Sequence, residues 1–252
     1  MLQFKDIANS REYKRNSLLK VSFEHDNFFE DAIEENIKSL KEKIKISEER
    51  FKELNSKIYD GKPYVSTPEL DLLIDEACYH EANIESFLQH LYSLNEMRII
   101  YLFKNLEISI KSIIKNAYPD TNIKDFFKWQ SLIDFFEEKS ISVTAIEGYT
   151  DAIQLKDVNN VLKHSDSIPQ HIGKISEFVS GFNSDGLERF AQRIRPRVEL
   201  FRQKLSVEIA KERYDFDEKR LDTIISEYHS RMDHATYLTF TQKLNDKPSN
   251  TI

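Results

Sequence analysis

The sequence predicts an all-α protein: a long antiparallel helical hairpin, a helical bundle core and further C-terminal helices. Three observations carry this. Only 5 of the 252 residues are Gly and 6 are Pro, too few for the many tight turns of a sandwich, a barrel or most α/β folds. Apolar residues recur at steps of three and four over most of the chain, the period of helices with one buried face. Charged residues make up 31% and hydrophobic ones 40%, the balance of amphipathic helices. At ~100–200 residues per domain, the length allows one large or two small domains and a sizeable core.

Residues 1–30 form an N-terminal segment. It begins Met1-Leu2-Gln3-Phe4-Lys5-Asp6 and lacks the apolar stretch of a signal peptide. Residues 31–95 are the hairpin. Its first stripe runs through Ile33, Ile37, Leu40, Ile44, Phe51, Leu54 and Ile58, a heptad pattern with one step of seven across Ser47. Asp60-Gly61-Lys62-Pro63 stops that helix and forms the tip. Thr67 is the expected N-cap of the next helix, with Pro68 at its first position and Glu69 and Asp71 near its positive end. The matching stripe reads Leu70, Leu73, Ala77, His80, Ile84, Phe87, Leu91 and Leu94.

Residues 96–172 form the bundle core. Met97, Ile99, Ile100, Leu102, Phe103, Leu106, Ile108, Ile110, Ile113 and Ile114 cover so wide an arc that this central helix is expected to be buried on several sides. Asp120-Thr121-Asn122 is the expected start of an aromatic helix with Phe126, Phe127, Trp129, Leu132, Ile133, Phe135 and Phe136. Ser140 to Gly148 reads as a loop or short turn. Tyr149 to His164 is a helix burying Ile153, Val158, Val161 and Leu162. Residues 173–252 are C-terminal helices and a polar tail. Ser165 to Gly186 is polar, holds three of the five Gly and reads as a surface loop. Leu187 to about Met232 is helical with an interruption near Pro196, and Gln242 to Ile252 reads as a frayed tail.

Several function classes are excluded at this level. GxGxxG, GxxxxGK[ST] and Gly-x-Ser-x-Gly are all missing. Cys78 is the single cysteine, so it serves neither an internal disulfide nor a multi-cysteine zinc site; it reads as a packed thiol. His80-Glu81 opens like a zincin helix, but Ile84 stands where the second histidine must lie. His80 therefore reads as a core histidine, and neither a metal nor a cofactor is expected. The net charge of −7 argues against a chain that coats nucleic acid along its whole surface. No apolar run approaches the ~18 residues of a membrane span. A cytoplasmic location is expected.

Chemistry concentrates in Leu155-Lys156-Asp157-Val158-Asn159-Asn160-Val161-Leu162-Lys163-His164-Ser165-Asp166. On a helix Asn160 and His164 share a face, Lys156 extends it by a turn, and Lys163 and Asn159 flank it. Such a cluster holds one proton-transfer group and two cations. The same basic residues also suit the negative end of a helix without further function. The run from Asp157 to Ser165 resembles the final-helix motif of HEPN-domain proteins, helical bundles found in RNase toxins and prokaryotic antiviral systems. The resemblance spans roughly 85–172, including Glu107 in the apolar field of the central helix. The family motif is Arg, four to six residues, then His, often with Asn directly after the Arg. Here Asn159 occupies the Arg position at the shortest spacing and Asn160 follows it.

The resemblance implies a HEPN-like bundle and a metal-independent endoribonuclease. His164 would act as general acid and base, Asn160 would orient it or the phosphate, and Lys163 or Lys156 would supply charge. It also implies a homodimer with a shared site, RNA as substrate, and a partner protein from a defence or toxin–antitoxin operon. The alternative is a catalytically inactive dimerising scaffold or sensor whose hairpin docks a partner protein. Arg189, Arg193, Arg195, Arg197 and Arg202 form a second basic cluster, opposed within its span by Glu199 alone. It reads either as a phosphate path for nucleic acid or as a helix face engaged in ion pairs.

Overall fold

The computed structural model describes residues 10–21, 28–59, 67–122, 124, 126, 128–164, 168–216 and 218–246. The protein is an all-α bundle, with no strand among the described residues. The helices are α1 (Arg11–Val21), α2 (Phe28–Ile58), α3 (Pro68–Ala117), α4 (Trp129–Glu138), α5 (Tyr149–His164), α6 (Ser184–Tyr214), α7 (Glu218–Arg231) and α8 (His234–Asn245). Short 3₁₀ turns stand at Val143–Ala145, Ile172–Lys174 and Ser176–Phe178. Among the described residues no helix is long and apolar enough to cross a membrane.

Two compact units form. The first takes Met1–Glu24, Ser109–Glu147 and Phe201–Ile252; the second takes His25–Ile108 and Gly148–Leu200. α3 and α6 each supply residues to both. A 50-residue helix such as α3 is ~75 Å long at 1.5 Å per residue, more than one small core can cover.

In the second unit α2 and the first part of α3 run antiparallel. Residue numbers rise in α2 as they fall in α3: Glu30 meets Arg98, Lys43 lies over the Phe87 ring, and Arg50 meets Glu76. Ile33, Ile37, Ile44 and Leu91 form the shared core, with Phe29, Leu40, Phe87 and Leu94 against it. Ser47, at the step of seven, is buried and small enough for the partner helix to close over it. The Thr67 hydroxyl accepts the Leu70 N–H, the predicted cap of α3. The tip residues Gly61 and Pro63 lie outside the described residues. Leu91 is 4% exposed, so Leu91→Ala should cost ~2–5 kcal/mol. Half-buried Leu40 should cost less when cut to Ala. Thermal melts of the two variants check the order, and an unchanged melting temperature for Leu91→Ala would count against this packing.

The second unit also buries Ile99, Leu106, Leu155, Val158, Leu187, Phe190 and Ile194. In the first unit the core is Ile110, Ile113, Ile114, Phe136, Val143, Phe201, Leu205 and Ile209, closed by Leu18 of α1. The Arg15 guanidinium grips Asp215 with two donors at 3.0 and 3.2 Å.

Several expectations are corrected. α1 falls within the segment to which no element was assigned. On the central helix Ile99, Leu102, Leu106, Ile110, Ile113 and Ile114 are buried, while Met97 and Ile108, counted in the same apolar arc, are exposed. The aromatic helix begins at Trp129 after an extended Lys128 rather than at the Asp120-Thr121-Asn122 signal. Phe126 is buried ahead of it and Phe127 lies outside the described residues. Ser165 to Gly186 is more than a surface loop, because Ile172, Ile175 and Phe178 are buried. Residues 165–167 of that stretch lie outside the described residues. α6 continues through Pro196. Proline removes one backbone donor, but Ile194, Val198 and Phe201 stay buried on either side and hold the helix together. The break comes instead between Tyr214 and Glu218. α8 runs into the supposed tail as far as Asn245, with residues 247–252 outside the described part. Cys78 is exposed rather than packed, since Ala77 takes the inward position beside it.

Candidate functional site

α5 presents the residues singled out by the motif. It buries Ala152, Leu155, Val158, Asn159 and Val161, while Ile153 and Leu162, expected on that face, are half-buried. The spacing of the buried set turns Asn160, Lys163 and His164 to solvent. Lys163 and His164 occupy the last turn, where positive charge offsets the exposed carbonyls.

Asn159 does not share that exposure. It is 2% exposed, its Nδ2 donates to Asn160 Oδ1 at 3.5 Å, and its own Oδ1 is buried without a partner. With its oxygen engaged, exposed Asn160 keeps its Nδ2 as a donor outside that contact. The exposed end of α5 therefore offers an amide N–H pair, an ammonium and an imidazole. Lys156 stands one turn earlier and is half-buried against Asp157, with Nζ 3.2 Å from the carboxylate.

The arginine cluster is engaged elsewhere. Arg193 donates to Glu177 Oε1, to Asp151 Oδ1 at 2.9 Å and to Gln154 Oε1 at 2.8 Å. Arg197 reaches Asp151 at 3.3 Å, and Arg195 lies 3.6 Å from Glu30. Exposed Arg189 donates to the Glu177 carbonyl at 3.4 Å. Arg202 belongs to the first unit, where it is 3% exposed and donates to Ser109 Oγ at 3.2 Å. Asp151 and Gln154 sit in the first turns of α5, so Arg193 contacts the end of that helix ~20 Å from His164. The structure thus gathers Asn160, Lys163 and His164 and holds Arg193 and Arg197 at the opposite end of α5.

Burial of Glu177 pushes its carboxyl up, but hydrogen bonds from Arg193, Ser176 and the backbone outweigh this and hold it below its ordinary 4.5. A carboxylate lowered in the folded state contributes stability that is present above its unfolded value and lost as pH falls through the folded one. The stability gap between the native chain and Glu177→Gln should therefore shrink as pH drops below about 4.5. Urea titrations at neutral pH and at successively lower pH check this, and a gap independent of pH would refute it.

Sequence reasoning missed the polar cluster inside the second unit. Glu30 is 2% exposed and Arg98 4%, and Arg98 Nε donates to Glu30 Oε1. Asn95, also buried, donates to the Leu91 carbonyl at 3.1 Å and to Ser184 Oγ at 3.1 Å. A signal was present: Glu30 lies three residues before Ile33 and seven before Ile37, on the buried stripe itself. His80, read from the sequence as a core histidine, keeps a buried Nδ1 without a partner and meets the Tyr79 ring edge-on at 5.4 Å.

Compared with known proteins, the chain matches no family model, no curated protein and no solved structure.

Proposed function

We propose that this protein is a HEPN-like, metal-independent endoribonuclease of a prokaryotic antiviral defence or toxin system, acting in the cytoplasm as a homodimer. The observation that supports it is the exposed end of α5, where Asn160, Lys163 and His164 stand together. In this reading His164 takes the proton from a ribose 2′-OH and returns one to the leaving 5′-oxygen. Lys163 offsets phosphate charge as a point cation, without the two-pronged fork of an arginine. The Asn160 amide donates to a phosphate oxygen. The C-terminal dipole of α5 opposes anion binding, so the Lys163 charge is needed there.

A specific observation favours a second reading, the inactive scaffold that docks a partner protein through its hairpin. Arg193, Arg195 and Arg197 are matched to carboxylates of their own unit and Arg202 is buried, which leaves little of that cluster for a phosphate backbone. The hairpin offers a shallow groove of about 320 Å³ between Leu40, Lys43, His90 and Leu94.

Purified protein incubated with single-stranded RNA in EDTA should yield fragments ending in 2′,3′-cyclic phosphate, since the nucleophile is the adjacent hydroxyl. Light scattering should report a dimer at micromolar concentration. Intact RNA would remove the nuclease reading, and a monomer would remove the shared site.

A further inference from the structure

The first unit carries a cleft of about 1080 Å³, at the upper end of what small-molecule pockets occupy. Three elements wall it: the loop after α4, one face of α6 and the start of α7. Ile141, Ile146 and Ile224 supply its apolar surface. The α6 carboxylates in it are already matched. Glu208 pairs with Lys211 at 2.8 Å, and Glu212 accepts the Tyr118 hydroxyl and lies 3.3 Å from Arg220. Asp215 is held by Arg15 at 3.0 Å.

Two lining ammoniums differ. Lys139 and Lys204 have no carboxylate partner among the described residues, and Lys139 rests over the Tyr118 and Phe135 rings at 5.8 and 5.6 Å. Ser140 and Ser142 add exposed hydroxyl donors on the same wall. Ser140 is in the left-handed region at φ 60°, which turns the chain sharply out of α4. In a protein of net charge −7, unmatched cations in a concave site draw in anions.

We infer that this cleft binds a nucleoside monophosphate, with the phosphate on Lys139, Lys204 and the serine hydroxyls and the base over the isoleucines. A phosphate rather than a carboxylate suits four donors, because it has three terminal oxygens to share among them. A base rather than a sugar suits the apolar surface, where sugar hydroxyls would be stripped of water without replacement. None of the lining residues belongs to α5, so the inference is independent of RNA cleavage.

Calorimetric titration of the full chain at low ionic strength tests it, with AMP, adenosine and inorganic phosphate as probes. AMP should bind, adenosine should not, and phosphate should bind far more weakly than AMP. Lys204 is exposed, so Lys204→Ala should leave the melting temperature unchanged while weakening AMP about tenfold. Lys139→Ala should weaken it similarly. No AMP binding, equal binding of adenosine, or AMP binding indifferent to both lysines would each overturn the inference. Phosphate binding as tightly as AMP would reduce the site to an adventitious ion only, which also overturns it.

Discussion

His164→Ala should lower RNA cleavage by ~10²–10⁴-fold, the usual contribution of a positioned proton-transfer group. The fold should survive. His164 is exposed at the end of α5, and a helix-end cation at the surface contributes only ~0.3–1 kcal/mol. Cleavage of a labelled RNA, followed beside the thermal melt of the same variant, separates the two effects. Asn160→Ala should reduce the rate with the melt again unchanged. Equal cleavage by native and His164→Ala protein would assign the activity to another group. Introducing the arginine of the proposed HEPN-like motif with Asn159→Arg is not a neutral test. Asn159 is 2% exposed, so a guanidinium there must either displace packed neighbours or swing out of the helix face. Loss of stability in that variant is the expected result, and activity should be compared only after its melt is known.

Glu30→Ala should destabilise the second unit by ~3–5 kcal/mol, because it leaves Arg98, only 4% exposed, with no carboxylate nearer than the exposed Glu34 at 4.0 Å. The partner Arg195, 3.6 Å from the same carboxylate, loses a neighbour as well. For a chain of this size that corresponds to a fall of roughly 6–20 °C in melting temperature. Removing both charges should hurt less than removing one. The pair Glu30→Met with Arg98→Met replaces two desolvated ions by apolar side chains of similar length, and such swaps are often neutral or stabilising. A double-mutant cycle read by urea unfolding measures the difference. A double variant as unstable as the sum of the singles would mean that Glu30 and Arg98 act separately. Arg50→Ala at the exposed pair with Glu76 serves as the contrast, with a far smaller expected loss.

The hairpin was legible because its determinants are local. Heptad steps, the Thr67 cap and the Asp60-Gly61-Lys62-Pro63 stop all act within a turn or two of the chain, and α2 and α3 begin and end close to where these signals stand. Tyr149 to His164 was read to the residue for the same reason. Pro196 misled, because a proline's local cost was outweighed by the packing of Ile194, Val198 and Phe201 on the other side of the helix. Phe126, Leu132, Ile133 and Phe136 are buried as the sequence suggested, yet the helix starts later than its apparent cap.

At the candidate site, the chain order alone placed Asn160, Lys163 and His164 on the exposed end of one helix. It did not reveal that Asn159 is buried, that Lys156 is tied to Asp157, or that Arg193 is spent on Asp151 and Glu177. Those facts depend on which carboxylate lies within reach, and reach is set by folding. Arg193 and Asp151 are 42 positions apart, and Glu30 and Arg98 are 68 apart. Helical periodicity fixes which residues share a face over a few turns. Only the packing of one helix on another decides which charge meets which, and so which cations remain free to bind.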